Sequence, residues 1–359
     1  MGTLDKVLAV DTWASGYDCN FDDAEERICP HCILREIAQL TGNPPAPPEV
    51  TLAAHNEAVA FRDEAAEHGF AMNFGVPGKE AGSSKILREV LQCTATPPRK
   101  IYPRRGDRVS ITTNGSMLKK LKPLFLEYPL DILRVSGQTE SGEVPLHQGS
   151  NLRAALENAV AIKEERGCRE IQLSSIFLAN EKGTNIEALL EQYYFFRQIV
   201  PIESGPFCVS DILHFEDGHY QSRATSQQID DLVEAFVAAF PRRHDEFVAL
   251  GEHLGPIVLE LQWDQYLRVA DVPELPLEPV SLSTNMLSAP GIHSQVNIFT
   301  VNPRCPHYLG IFQDGQIIQA CDIKRPRIGS AGRFYTPGEV TKALREIVRG
   351  DIIIKEERW

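Results

Sequence analysis

The sequence has no apolar run near the ~20 residues that a bilayer-spanning helix needs. Its first ten residues show no basic stretch ahead of a long apolar segment. Neither a membrane span nor a secretory leader is expected, and the chain reads as cytoplasmic. Positive charge is also scarce: 36 Lys and Arg stand against 49 Asp and Glu, a net charge of −13. Proteins that track a phosphate backbone carry a basic face, and the small group Lys100, Arg104, Arg105 and Arg108 does not make one. Nucleic acid is therefore not an expected partner. No internal repeat is evident. Disulfides are not expected in a reducing compartment, which leaves the eight cysteines as thiols or metal ligands.

What is present is apolar material, 43% of 359 residues, enough for one large α/β domain and a smaller companion. Lys6 to Val10 reads as a short buried strand ending at Asp11, followed by a long polar loop over residues 12–35. A Pro-rich connection, Asn43 to Pro48, leads to helical spacing from Ala53 to His68. Strand candidates then recur at Phe70–Phe74, Val109–Thr112, Ile132–Val135, Glu170–Phe177 and Phe207–Val209. Helix candidates between them are Ser84–Leu91, Met117–Phe125, Leu152–Glu165 and Ile186–Ile199. This alternation predicts an α/β fold, a partial (β/α)6 TIM-like barrel of parallel strands over residues 1–222. A smaller C-terminal α+β extension is expected over 223–359. It has helical patterns at Gln228–Phe240 and His244–His253 and a hairpin within Tyr308–Cys321, turning at Asp314–Gly315.

The loop after the first strand carries Cys19, Cys29 and Cys32, the last two as Cys29-Pro30-His31-Cys32. Two chemistries fit this clustering. A Cys-x2-Cys pair is often half of a zinc site, which His31 or His55 could complete with Cys19. The other is a 4Fe-4S cluster on three thiolates, with the fourth iron open to an external ligand. Cys93 and Cys168, in or beside predicted helices, read as small core residues, and Cys208 ends a predicted strand.

From Lys6 to about residue 200 the order of landmarks resembles the radical S-adenosylmethionine superfamily. There a cysteine triad follows the first strand, usually as Cys-x3-Cys-x2-Cys; here nine residues separate Cys19 from Cys29. Gly75-Val76-Pro77-Gly78 stands where the family has Gly-Gly-Glu-Pro, without the Glu, and Thr112-Thr113-Asn114-Gly115 matches the Thr-Thr-Asn-Gly that often ends its third strand. Arg134-Val135-Ser136-Gly137 looks like the fourth strand, followed by His147 and Arg153, a pair similar to that of peptide-maturation relatives. Cys305, Gly315 and Cys321 resemble the opening of a SPASM or twitch extension, but no cysteine follows Cys321. A degenerate extension is therefore expected, with no auxiliary Fe-S cluster.

The resemblance implies an enzyme with two cofactors, a 4Fe-4S cluster on Cys19, Cys29 and Cys32 and S-adenosylmethionine. Reductive cleavage of the latter gives a 5′-deoxyadenosyl radical that takes hydrogen from a substrate. It implies that His31 lies against the adenine and that Gly75, Thr113, Asn114, Ser136, Arg153 and Asn180 position the cosubstrate. Cys208 is a candidate hydrogen donor. A flavodoxin or ferredoxin would supply electrons. A small-molecule substrate of specialised metabolism is the first expectation, since the first strand begins by Lys6 with no peptide-recognition domain ahead of it. A ribosomal-peptide maturase is the alternative. A zinc-stabilised α/β binding protein is the reading from another class.

Overall fold

β-Branched and aromatic runs bounded by Gly, Pro and Asn become strands, and the segments between them with 3.6-residue periodicity become helices. The computed structural model describes residues 6–14, 46–77, 80–95, 107–137, 151–180, 183–216, 219–221, 227–228, 230–232, 235, 257–261, 278–281, 286–290, 295–300, 308–312, 315–319 and 333–349. Along the chain these form β1 (Lys6–Thr12), α1 (Pro48–Ala60), α2 (Arg62–Glu67), β2 (Phe70–Val76), α3 (Leu87–Ala95), β3 (Arg108–Thr113), α4 (Leu118–Glu127) and β4 (Leu130–Ser136). Then come α5 (Leu152–Glu164), β5 (Cys168–Asn180), β6 (Gly183–Thr184), α6 (Ile186–Ile199), β7 (Phe207–Glu216), β8 (His219–Gln221) and β9 (Ile257–Leu261). The remainder is β10 (Glu278–Ser281), β11 (Met286–Pro290), β12 (Gln295–Thr300), β13 (Tyr308–Ile311), β14 (Ile317–Gln319), β15 (Arg333–Tyr335) and α7 (Val340–Arg349).

The six expected strands are present and lie side by side, parallel, in the order β7-β5-β4-β3-β2-β1. The fold is the expected α/β architecture, a partial TIM-like barrel. The same sheet runs further at both ends. β9 and β12 add parallel strands beyond β7, and β13 adds one beside β1. Antiparallel strands finish each side, β11 and β10 on one and β14 and β15 on the other. The expected hairpin is therefore found as β13–β14, but it widens the barrel sheet rather than lying across its opening.

Side chains alternate across the sheet with a period of two. Val109, Ile111, Leu133, Val135, Ile171, Leu173, Phe207 and Val209 are buried against Leu91, Leu121, Phe125, Leu156 and Leu189 of the helices. A second core unites Leu8, Val10, Met72 and Phe74 with Leu309, Ile311 and Ile317 of the hairpin and Leu344 and Ile347 of α7. On the other face Ala9, Ala71, Gly75 and Ile132 are interspersed with polar positions and a thiol: Asp11, Asn73, Ser110, Thr112, Arg134, Ser136, Gln172, Ser174 and Cys208. That face is the barrel lumen. A polar row inside a parallel barrel is a surface for ligands, since a purely structural core would be filled with Val, Ile and Leu.

Two helices differ from expectation for local reasons. The pattern from Ala53 to His68 is two helices, breaking at Phe61, where the backbone leaves the helical ψ (−7°). α3 starts later than Ser84 because side chains hold its approach: Ser83 Oγ donates to the Glu80 carbonyl at 2.7 Å and Ser84 Oγ to the Ala14 carbonyl at 2.8 Å. Such local bonds compete with helical ones.

Candidate active site

The cysteine loop leaves from the C-terminal end of β1, and that end is pinned. Thr12 and Thr94 bracket the ring of His55, with Thr12 Oγ1 2.8 Å from Nδ1 and Thr94 Oγ1 2.9 Å from Nε2. Thr94 commits its own hydrogen to the Val90 carbonyl at 2.6 Å. Its oxygen must then accept from Nε2–H, so Nδ1 is bare and accepts from Thr12. The ring is fully buried, with Phe74 edge-on at 5.7 Å, and burial lowers its pKa to about 4, helped by the nearby Arg62 guanidinium. With both nitrogens occupied, His55 is not a metal ligand, which removes one of the two histidines from the zinc reading. One residue on, Trp13 N–H donates to the Ile311 carbonyl at 2.9 Å, and its ring stacks on Phe312 at 5.5 Å.

At the ends of β2 and β3 the organising group is a residue that the sequence reading passed over. Glu80 is buried, and its carboxylate accepts from Thr113 Oγ1 (2.9 and 2.8 Å), Asn114 N–H (3.0 Å) and Gly82 N–H (3.1 Å). It clasps the loop after β2 to the loop after β3. Burial raises its pKa above the ordinary carboxylate value, against the opposing pull of these hydrogen bonds. The signal was available: Gly78-Lys79-Glu80 repeats the Gly-x-Glu of the family motif three residues after the frame anchored on Gly75. Gly115 completes the turn with φ +83°, and a side chain there would collide with Ala155.

The positions expected to hold the cosubstrate fall into three groups. Ser136 faces the lumen at the end of β4, in register with Ser174 and, through it, with Cys208 of β7. The buried Cys208 thiol lies 3.9 Å from Gln172 Oε1. Gly75 is inside the ladder, opposite Asp11 and Ser110, and a Cβ there would run into the Asp11 carboxylate. Thr113 and Asn114 address Glu80 through the Thr113 hydroxyl and the Asn114 amide. Asn180 ends β5. Arg153 stands apart, in the first turn of α5, with its guanidinium 4.8 Å from the Phe195 ring centroid and 4.0 Å from Glu157. The structure does not bring it into the lumen. Cys19, Cys29, His31, Cys32, His147, Cys305 and Cys321 lie outside the described residues, among which no group of three or more metal-ligating side chains occurs. Cys168 opens β5, its thiol pushed up to about 12 by burial.

Deeper in the lumen, Arg134 Nε donates to Gln172 Oε1 at 3.0 Å, and Gln172 Nε2 donates to Glu170 Oε1 at 2.5 Å. Neither residue was singled out from sequence, because strand periodicity marks a face but not which face lines a cavity.

No family model matches the sequence, and no curated protein matches it. Solved structures do match the fold. Native anSMEcpe with bound AdoMet and the Cp18Cys peptide aligns with a TM-score of 0.50 at 11% identity, covering 88% of this chain and 75% of that one. The same enzyme with AdoMet alone gives 0.47 at 12% identity, covering 88% and 74%. At this identity the likeness is one of fold: the chain shares the architecture of an enzyme that holds AdoMet.

Proposed function

We propose that this chain is a radical S-adenosylmethionine enzyme that modifies a peptide. One observation carries the reading: the pinned origin of the three-cysteine loop and the Glu80 clasp meet at the C-terminal ends of adjacent strands β1, β2 and β3. That edge of a parallel barrel is where active sites form. The fold neighbour is an anaerobic sulfatase-maturating enzyme, a radical S-adenosylmethionine enzyme, with AdoMet and a peptide bound. This favours a peptide over the small molecule first expected.

The donor set fits an iron–sulfur cluster. Three thiolates in one loop, Cys19, Cys29 and Cys32, would hold it and leave one iron for the cosubstrate. When bound, it supplies the electron that cleaves the sulfonium. The chain's own residues do the rest. Ser136 offers a hydroxyl to the ribose, with Asn180 at the neighbouring strand end. Thr113 and Asn114 act through Glu80, fixing the backbone edge after β2. His31 packs on the adenine. Cys208 returns hydrogen to a substrate radical: its S–H bond breaks, a C–H bond forms, and the thiyl left behind takes one electron from the flavodoxin or ferredoxin donor and one proton from solvent.

Anaerobically reconstituted protein should bind about four irons and, with dithionite, convert S-adenosylmethionine to 5′-deoxyadenosine and methionine. Replacing all three cysteines by Ala should abolish iron and turnover together. Ser136→Ala should weaken cosubstrate binding by ~0.5–1.5 kcal/mol, the worth of one hydrogen bond. Tetrahedral zinc in the native protein, or S-adenosylhomocysteine as sole product, would overturn the reading.

A further inference from the structure

The lumen holds a cation that no carboxylate among the described residues neutralises. Arg134 is half-buried on β4 between the buried Leu133 and Val135. Its one hydrogen bond among the described residues is from Nε to Gln172, and it forms no ion pair with a described carboxylate. Glu170 is reached only through Gln172, whose amide is thereby oriented with its oxygen toward Arg134 and its nitrogen toward the acid. Gln172 is itself buried, 7% exposed, so the pair is held in place rather than solvated. The ladder sets Thr112, Arg134 and Gln172 in one row across β3, β4 and β5, and Ser136, Ser174 and Cys208 in the next row toward the C-terminal ends.

A half-buried guanidinium without a counter-charge carries a desolvation cost that a bound anion offsets. Using Nε for a neutral amide leaves Nη1 and Nη2, the pair of donors that matches a planar carboxylate. We infer that Arg134, fixed by Gln172, binds a carboxylate of the substrate inside the barrel. The substrate would then be a peptide presenting an acidic side chain or a C-terminal carboxylate beneath Ser136 and Cys208. This inference rests on the function proposed above, since it names the substrate class of the same lumen.

The test uses the reconstituted full chain and two probes titrated calorimetrically, the α-amides of N-acetyl-aspartate and N-acetyl-asparagine, of which the first carries one carboxylate and the second none. The wild type should bind the acid at least about ten-fold more tightly, the factor that one charge-assisted contact supplies. Arg134→Gln should erase that preference while leaving the dissociation constant of S-adenosylmethionine unchanged. Arg134→Lys, which keeps the charge but not the fork, should retain part of it and serves if the Gln variant does not fold. Equal binding of both probes by the wild type overturns the inference. So does a loss of S-adenosylmethionine affinity in Arg134→Gln or Arg134→Lys, because the carboxylate would then be the cosubstrate's. Preference for the acid in a protein that neither holds iron nor forms 5′-deoxyadenosine would leave the anion site standing and sink the radical function alone.

Discussion

His55 ties the cysteine loop to acidity through its protonation. Its pKa is about 4 when folded and 6.5 as an unperturbed group, so below pH 6.5 the unfolded chain binds a proton that the folded one refuses. The neutral ring's contribution is complete above pH 6.5 and is lost as pH falls from 6.5 toward 4. The linkage relation puts the loss at roughly 2 kcal/mol by pH 5. Thermal melts at pH 7.5 and 5.0 should show it, and His55→Gln, which does not titrate, should flatten the difference. Glu80 offers a second test at this scale. In Glu80→Gln an amide nitrogen would face the N–H groups of Gly82 or Asn114, donor against donor, within a buried clasp. A loss of ~1–3 kcal/mol is expected, with proteolysis rising in the loops after β2 and β3. Unchanged stability would mean that the clasp is not holding those loops.

At the scale of elements, the barrel strands were legible because each follows a pattern of its own: a β-rich run, a turn, then a helical period. The lengths of β5 and β7 were not. Both run past the predicted Phe177 and Val209, to Asn180 and Glu216, where pairing with β6 and β8 extends them. Such extensions depend on partners that no local signal names. The site was legible in part. Thr113-Asn114-Gly115 and Ser136 were read from their motifs, whereas Glu80 was hidden by a three-residue shift in frame and Arg134 by the ambiguity of which strand face is inward. The hairpin was foreseen but not its neighbour. Leu309, Ile311 and Ile317 pack with Leu8 and Val10 of β1, so Ile317→Ala should cost ~2–5 kcal/mol and lower the melting temperature as a core mutation would. A mere surface hairpin would tolerate the change.

At the scale of the whole molecule, the C-terminal segment is bound into the N-terminal half at several points. Arg345 of α7 forks onto Glu64 of α2 at 2.7 and 2.9 Å, and Thr341 N–H donates to Glu57 of α1 at 2.8 Å. The exposed fork is worth little by itself; the burial of Val340, Ala343, Leu344 and Ile347 carries the docking. Removing residues 302–359 should therefore not give a stable barrel. It would bare Leu8, Val10 and Phe74 and open the edge of β1, and the truncated chain should enter the insoluble fraction on expression. A soluble truncation with native circular dichroism would show that β1 needs no partner on that side.

The pairing of β1 with β13 also sets a schedule for synthesis. Ala9 finds Tyr308 opposite it only after about 300 further residues have been made. Throughout translation the first strand emerges with one flank bare, and the loop that follows it carries three cysteines. Contacts this distant in sequence slow folding, and strand flanks left open during it invite aggregation. The nascent chain would have to be shielded until β13 has left the ribosome, and the cysteine loop would hang from an unfinished sheet edge until then.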